Sequence, residues 1–88
     1  MIQLYGRQPS GNSYKARLLM ALLRVPYREI EIPLAAGGRN QVDKAYYALN
    51  PRRQVPTLVD GDTVLWGSTA ILVYLAALRL VRNLVALR

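Results

Sequence analysis

The alternation of apolar and polar residues predicts a strand, a helix and a second strand in the first part of the chain. Residues 2–5 are a short run of strand formers, and a loop rich in Gly, Pro, Ser and Asn follows them. Across residues 13–24 the apolar positions recur at helical spacing, which predicts a helix capped by Ser10 or Ser13. Residues 27–32 alternate apolar with charged side chains and predict the second strand.

The middle of the chain predicts a surface loop followed by a short helix. Residues 33–40 are small and glycine-rich and predict a surface loop. Residues 42–49 can form a short helix capped near Asp43, and Asn50-Pro51 would end it. This segment therefore predicts a linker helix between two halves of one fold.

A hairpin and a long helix are predicted in the last part of the chain. Residues 54–66 form two strand-like runs around Asp60-Gly61-Asp62, and Asp-Gly tolerates the positive φ that tight hairpin turns need. Ser68 is expected to cap a helix that starts at Thr69 and runs past Leu75.

This order of elements, βαβ, a linker helix and ββα, predicts an α/β fold. Two strands joined through a helix should be parallel with a right-handed crossover, whereas the hairpin strands must be antiparallel. A mixed four-stranded sheet results, with the helices covering one or both of its faces.

Composition excludes several classes of chemistry. A chain of 88 residues closes one modest core and should form a single domain. It contains no cysteine and no histidine, which excludes disulfides, protein-thiol redox chemistry, Cys or His nucleophiles and nearly every zinc site. Most small enzymes are excluded with them.

The charge balance leaves the class of partner open. Twelve basic and five acidic residues give a net charge of +7, which could attract nucleic acid, an anionic membrane or small anions. No aromatic-rich basic strand that would stack bases is present, so we expect no specific nucleic-acid partner. Residues 63–78 lack charge but include Gly67, Ser68 and Thr69, so we expect no membrane span. The first residues are too short an apolar run for a signal peptide, so the expected location is cytoplasmic.

Two motifs carry a resemblance to a known family. The first is Asn-Pro-Arg-Arg-Gln-Val-Pro-Thr-Leu-Val-Asp-Gly-Asp at residues 50–62, and the second is Val-Leu-Trp-Gly-Ser-Thr-Ala-Ile-Leu-Val-Tyr-Leu at residues 64–75. Together with the predicted first strand, loop and helix, they resemble the N-terminal thioredoxin-like domain of glutathione transferases, in the serine-type, theta-like or tau-like classes. The resemblance covers about residues 1–76 and implies glutathione as co-substrate.

The resemblance implies a binding site for the backbone and ends of glutathione. Val55-Pro56 is similar to the family's Val-Pro pair, which has a cis proline and whose valine backbone pairs with the cysteinyl part of glutathione. Ser68, with Thr69 beside it, is similar to the serine that holds the γ-glutamyl end. The family places an acidic residue before that serine, and this chain has Gly67 instead. The ligand's ammonium group therefore loses its counter-charge.

Three hydroxyl groups are candidates for the residue that faces the glutathione sulfur. Ser10 has the spacing of the catalytic serine in theta-like and tau-like transferases, where the hydroxyl would donate to the thiolate rather than attack. Ser13 lies where some classes have cysteine, and Tyr5 lies where others have tyrosine. Each also has an ordinary structural interpretation, as a helix cap or a core residue.

Positive and polar side chains precede the Val-Pro pair. The resemblance implies that Gln54 contacts the glycyl end of glutathione. Arg52 and Arg53 extend the same positive edge, although surface solubility alone would account for both arginines.

The end of the chain departs from the family. Glutathione transferases append a helical second domain, and residues 77–88 instead predict a basic, apolar extension of the last helix. Its apolar surface should either fold back over the first and last helices or pair with another copy of the chain. The expected function is glutathione binding with at best weak thiol activation. The alternative is a non-catalytic structural or interaction module, such as an isolated transferase domain that keeps only the fold.

Overall fold

The strands and helices form a mixed sheet in a computed structural model that describes residues 1–32, 44–52 and 54–86. The elements are β1 (Ile2–Gly6), α1 (Gly11–Leu23), β2 (Tyr27–Glu31), α2 (Lys44–Leu49), β3 (Thr57–Asp60), β4 (Thr63–Trp66) and α3 (Ser68–Ala86). The four strands lie in the order β2-β1-β3-β4. The β1–β2 pair is parallel, and the β1–β3 and β3–β4 pairs are antiparallel. The predicted α/β architecture with a mixed four-stranded sheet is confirmed.

The helix starts refine the prediction. Ser10 is the cap of α1, which begins at Gly11, two residues before the predicted start. The predicted start of α3 is wrong by one residue, because Ser68 is already helical and Gly67 provides the carbonyl that accepts from the Ile71 amide at 3.2 Å. The predicted 33–40 loop and the cap near Asp43 lie outside the described residues.

The hydrophobic core lies on one face of the sheet. Successive residues of a strand point to opposite faces, so Ile2, Leu4 and, in register with Leu4, Leu58 share one face. Both long helices cover this face with buried side chains, namely Ala16, Met20, Ile71 and Leu75. The α1–α3 layer therefore excludes water from one side of β1 and β3.

The short helix α2 covers the opposite face. Tyr5, Thr57 and Trp66 are paired across three adjacent strands and share that face. The Tyr46 ring of α2 packs against the Tyr5 ring in a tilted arrangement with centroids 5.7 Å apart, and the Trp66 Nε1 donates to the Leu49 carbonyl at 2.7 Å. These contacts fix α2 near the end of the sheet where β1 finishes and β3 begins.

The last helix continues beyond the sheet. Its buried residues are Ile71 and Leu75, and residues 80–86 are all exposed. The expectation that the tail folds back over the helices is wrong for the described residues, because α3 runs without a break to Ala86. The predicted domain boundary after residue 76 falls inside this continuous helix.

By length and composition alone, α3 could cross a membrane, with a mean hydropathy of 1.6 and 11% of that window buried. A helix that packs a domain core passes the same test. In α3 only Ile71 and Leu75 are fully buried on the sheet, so most of this window is exposed.

The close approach of β1 and α1 depends on Gly6. A Cβ added at Gly6 would lie 3.0 Å from Oγ and 3.2 Å from Cβ of the fully buried Ser13. We therefore expect Gly6→Ala to lower the free energy of unfolding by about 1–3 kcal/mol, as overpacked sites do, measured by chemical denaturation. Gly11→Ala is the control, since a Cβ there meets nothing within 4 Å. Equal stability of the two variants would contradict this packing.

Candidate functional site

Three chain segments converge at one end of the sheet. The register pairs Tyr5 with Thr57 and Thr57 with Trp66. Since β3 runs opposite to its two neighbours, the residues after β1, before β3 and after β4 emerge at the same end. The N-termini of α1 and α3 begin there as well, and their free amide groups and dipoles favour negative charge. Among the described residues, this end holds the predicted site residues Ser10, Ser13, Gln54, Val55, Pro56, Ser68 and Thr69.

Ser10 stands at the start of α1 and caps it. Its Oγ accepts a hydrogen bond from the Ser13 amide at 3.1 Å, and its backbone is extended, with φ −76° and ψ 123°. The cap contact uses only a lone pair, so the hydroxyl proton remains available to donate. Ser10 is half-buried and can therefore cap the helix and present its hydroxyl at the end of the sheet.

Ser13 and Tyr5 have different surroundings. Ser13 is fully buried beneath Gly6, and its Oγ accepts from the Arg7 amide at 3.2 Å. The Ser13 hydroxyl thus anchors the β1–α1 loop through the Arg7 backbone amide. Tyr5 is half-buried and packs its ring against Tyr46 on the α2 side of the sheet.

The loop that carries Ser10 is fixed from both sides. The Arg17 guanidinium donates to the carbonyls of Arg7 and Gln8 at 3.3 and 3.1 Å and lies 4.0 Å from a Glu29 carboxylate oxygen. The backbone amide of Gln8 donates to the Glu31 carboxylate at 3.2 Å. The loop conformation before Ser10 is therefore set by α1 and β2 together.

The segment before β3 presents backbone and polar groups. Gln54 is exposed, Val55 is half-buried, and Pro56 is buried. The Val55–Pro56 peptide bond is cis. Arg52 is exposed and its amide donates to Asn50 Oδ1 at 2.9 Å, while Arg53 lies outside the described residues.

Sequence reasoning missed a buried polar cluster behind this segment. Tyr46, Asn50 and Thr57 are each at most 3% exposed. Their side chains contact one another and the Gln54 carbonyl. Burial raises the pKa of Tyr46 above its ordinary value of about 10, and the hydrogen bond from Thr57 opposes this rise. The signal in the sequence was Asn50 before a proline, which was interpreted only as a helix end.

The segment after β4 combines a helix start with an unusual backbone angle. Gly67 has a φ of +87°, which side-chain-bearing residues rarely adopt, and a Cβ there would meet nothing within 4 Å. Ser68 is half-buried and Thr69 is exposed in the first turn of α3. The arrangement offers free amides and hydroxyls to an anion, with no carboxylate at residue 67.

An apolar groove lies on the outer side of α1 and α3. It has a volume of about 500 Å³ and is lined by Lys15, Leu18, Leu19, Leu22, Leu72, Val73 and Ala76. Leu22 and Val73 are 70% and 64% exposed. Within the described parts of the chain, no group of His, Cys, Asp and Glu residues is placed to hold a metal ion.

The family of the chain is established by its similarity to known sequences. Residues 9–78 match the family model of the glutathione S-transferase N-terminal domain. Glutathione S-transferase GstB of Escherichia coli (strain K12) is 40% identical over 79 residues, which are 88% of this chain and 37% of GstB. Glutathione S-transferase Z1 of Arabidopsis thaliana is 36% identical over 74 residues, which are 84% of this chain and 33% of that protein.

Solved structures agree with this assignment. The theta class glutathione S-transferase from Xanthomonas axonopodis pv. citri, solved with glutathione bound, aligns with a TM-score of 0.75 at 47% identity, covering 86% of this chain and 36% of that one. Human glutathione S-transferase T1-1 aligns with a TM-score of 0.79 at 28% identity, covering 90% of this chain and 32% of that one.

The chain belongs to the glutathione S-transferase family and corresponds to its N-terminal domain. The resemblance seen in the sequence is thereby confirmed, with theta-class proteins among the structural relatives. The chain spans 37% of the length of GstB and 33% of the Arabidopsis relative.

The buried phenol of Tyr46 makes stability depend on alkaline pH. A pKa raised by burial means that the folded state keeps the phenol proton more tightly than the unfolded state. The stabilisation that comes from this raised pKa is therefore fully present below about pH 10. It is lost as the pH rises through the folded-state pKa, and the free energy of unfolding falls by up to about 1.4 kcal/mol per pH unit for one group. We expect Tyr46→Phe to reduce this slope in denaturation experiments between pH 9 and 11.

Tyr14→Phe is the matched control for that experiment, because Tyr14 is 56% exposed on α1. It should keep the alkaline slope of the wild type. The same slope in wild type and Tyr46→Phe would contradict the assignment of a buried, protonated phenol at residue 46.

Proposed function

We propose that this chain binds glutathione at the end of the sheet where β1, β3 and β4 bring their flanking segments together. The observation that carries the proposal is the convergence of Ser10, the Gln54–Pro56 segment and Ser68 on that end. Glutathione offers two carboxylates, an ammonium group and a thiol, and two helix N-termini suit its negative groups. The Xanthomonas relative, which was solved with glutathione bound, supports the same ligand.

Each part of the ligand has a proposed partner. The Val55 backbone pairs with the cysteinyl part, Gln54 contacts the glycyl end, and Ser68 with Thr69 receives the γ-glutamyl carboxylate. The Ser10 hydroxyl donates to the sulfur and favours thiolate over thiol. Ser13 is not used, because its side chain is fully buried beneath Gly6 and does not reach the ligand surface.

Transfer of glutathione to an electrophile is proposed only as a weak activity of these 88 residues. The relatives that carry the name transferase are much longer, since the chain covers 37% of GstB. Gly67 also leaves the ligand ammonium without a counter-charge, which costs about 1.5–3 kcal/mol where a charged hydrogen bond is lost. A cytoplasmic location stays a prediction.

A second candidate function is that of a non-catalytic interaction module. The exposed apolar groove between α1 and α3 favours it, because Leu22 and Val73 are largely uncovered. Contact between two copies through these helix surfaces is part of this alternative. It differs from the first function in requiring no glutathione binding.

Titration of the isotope-labelled protein with glutathione, followed by NMR at fixed ionic strength, tests the proposal. We expect saturable shifts of the amides of Ser10, Gln54, Val55 and Ser68. Ser10→Ala should raise the thiol pKa of bound glutathione toward its value in water, read from the ultraviolet absorbance of the thiolate. It should also cost about 1 kcal/mol of stability as a lost helix cap.

Ser10→Asp separates the two roles of that residue. Aspartate caps a helix as well as serine does, so stability should be kept, while its carboxylate would repel the thiolate. No saturable shift in the wild type at millimolar glutathione would refute glutathione binding and leave the interaction module. A normal thiol pKa in all three proteins would refute the role of Ser10.

Gly67→Glu tests the missing counter-charge. The substitution forces a side chain into a positive-φ position at a cost of about 1–2 kcal/mol in stability, and there is room for it. The new carboxylate should nevertheless tighten glutathione binding by about tenfold, measured by calorimetry. Gly67→Ala carries the same backbone strain without the carboxylate. Equal dissociation constants for the two variants would show that residue 67 does not face the ammonium group.

A further inference from the structure

Four polar groups close a ring behind the segment that precedes β3. Asn50 Nδ2 lies 2.9 Å from the Gln54 carbonyl oxygen and 3.0 Å from Thr57 Oγ1. The Tyr46 hydroxyl lies 2.7 Å from Thr57 Oγ1 and also contacts the Gln54 carbonyl. Because Tyr46, Asn50 and Thr57 are buried, the protein must satisfy these groups internally.

The available protons determine which group donates in each hydrogen bond of the ring. The Gln54 carbonyl can only accept, and Asn50 Nδ2 can only donate, so Asn50 donates to Gln54 and to Thr57. The single Tyr46 proton goes to the Gln54 carbonyl. Thr57 must then donate its proton to the Tyr46 oxygen. Every donor proton is used once, and the carbonyl accepts from both Asn50 and Tyr46.

The ring holds both ends of a short segment. Gln54 is one end and Thr57 is the other, so Val55 and Pro56 lie between two fixed points. Thr57 is also held by its strand partners, and Tyr46 is held by the Tyr5 ring. The Asn50 Oδ1 is occupied by the Arg52 amide at 2.9 Å, which orients its side-chain amide.

We propose that Tyr46 is a positioning residue for glutathione, and that its hydroxyl fixes the carbonyl of Gln54 so that the Gln54–Val55 backbone meets the ligand in one conformation. The assignment rests on the proposed function of this end of the sheet. A phenylalanine would keep the tilted ring contact with Tyr5 but would leave Thr57 without its acceptor and Gln54 with one donor. The segment would then sample other conformations before binding, and affinity would fall in proportion.

The experiment compares two tyrosine hydroxyls. Tyr46→Phe opens the ring, whereas Tyr74→Phe removes a hydroxyl that donates to the Asp60 carboxylate at 2.6 Å, at the other end of β3. Both variants are titrated with glutathione, following the Gln54 and Val55 amides, and both are unfolded by denaturant. We expect binding to weaken about three- to tenfold for Tyr46→Phe only, the loss of about one hydrogen bond.

A second pair of variants opens the ring without changing α2. Thr57→Val removes the hydroxyl that links Asn50 to Tyr46, and Thr57→Ser restores it. Thr57→Val should also weaken binding, because the Tyr46 hydroxyl loses the donor that orients it toward Gln54, and Thr57→Ser should bind like the wild type. If Tyr46→Phe does not fold, this pair gives the comparison.

Several outcomes would overturn the inference. Wild-type affinity in Tyr46→Phe or in Thr57→Val would show that the ring does not position the ligand. Equal weakening in Tyr46→Phe and Tyr74→Phe would show a general loss of stability instead. Absence of saturable binding in the wild type would refute the proposed function and this assignment together, and it is recognised before any variant is compared.

Discussion

The pairing of Thr57 with Tyr5 on one side and with Trp66 on the other is the constraint on which the rest of the structure depends. This single register places the end of β1, the start of β3 and the end of β4 at the same end of the sheet. A slip by one residue would turn Leu58 out of the core and Thr57 into it. The burial of Leu58 at 0% exposure, beneath both long helices, makes such a slip costly. Core packing on one face therefore fixes where the segments after β1, before β3 and after β4 leave the sheet.

The two faces of the sheet differ in polarity and in how they are stabilised. The face under α1 and α3 is apolar and supplies the burial that stabilises the fold. The face under α2 carries hydroxyls and rings, and it is satisfied by hydrogen bonds such as that from Trp66 to the Leu49 carbonyl. A polar layer of this kind is poorly tolerant of missing partners but specifies one conformation. That property suits the side of the sheet from which the proposed glutathione-binding segment departs.

The sequence was sufficient for the elements and for their order. Period and turn chemistry located β1, α1 and the hairpin, because these signals are local. The ring of Tyr46, Asn50 and Thr57 was not predictable, since its members come from a helix, a turn and a strand that only the folded chain brings together. The start of α3 was misplaced by one residue because serine at position 68 is a good cap, while Gly67 supplies the positive φ that ends β4. The placements of Ser10, Gln54, Val55 and Ser68 follow from topology, but their roles toward a ligand stay predictions.

Gly67 illustrates how backbone and charge requirements compete at one position. The chain must turn sharply between Trp66 and Ser68, and a φ of +87° is nearly free of strain only for glycine. A carboxylate at the same position would need that strain to be offset by a bound ammonium group. The benefit of the carboxylate exists only when ligand is present, whereas the strain is present always. Glycine here therefore favours the stability of the unliganded domain.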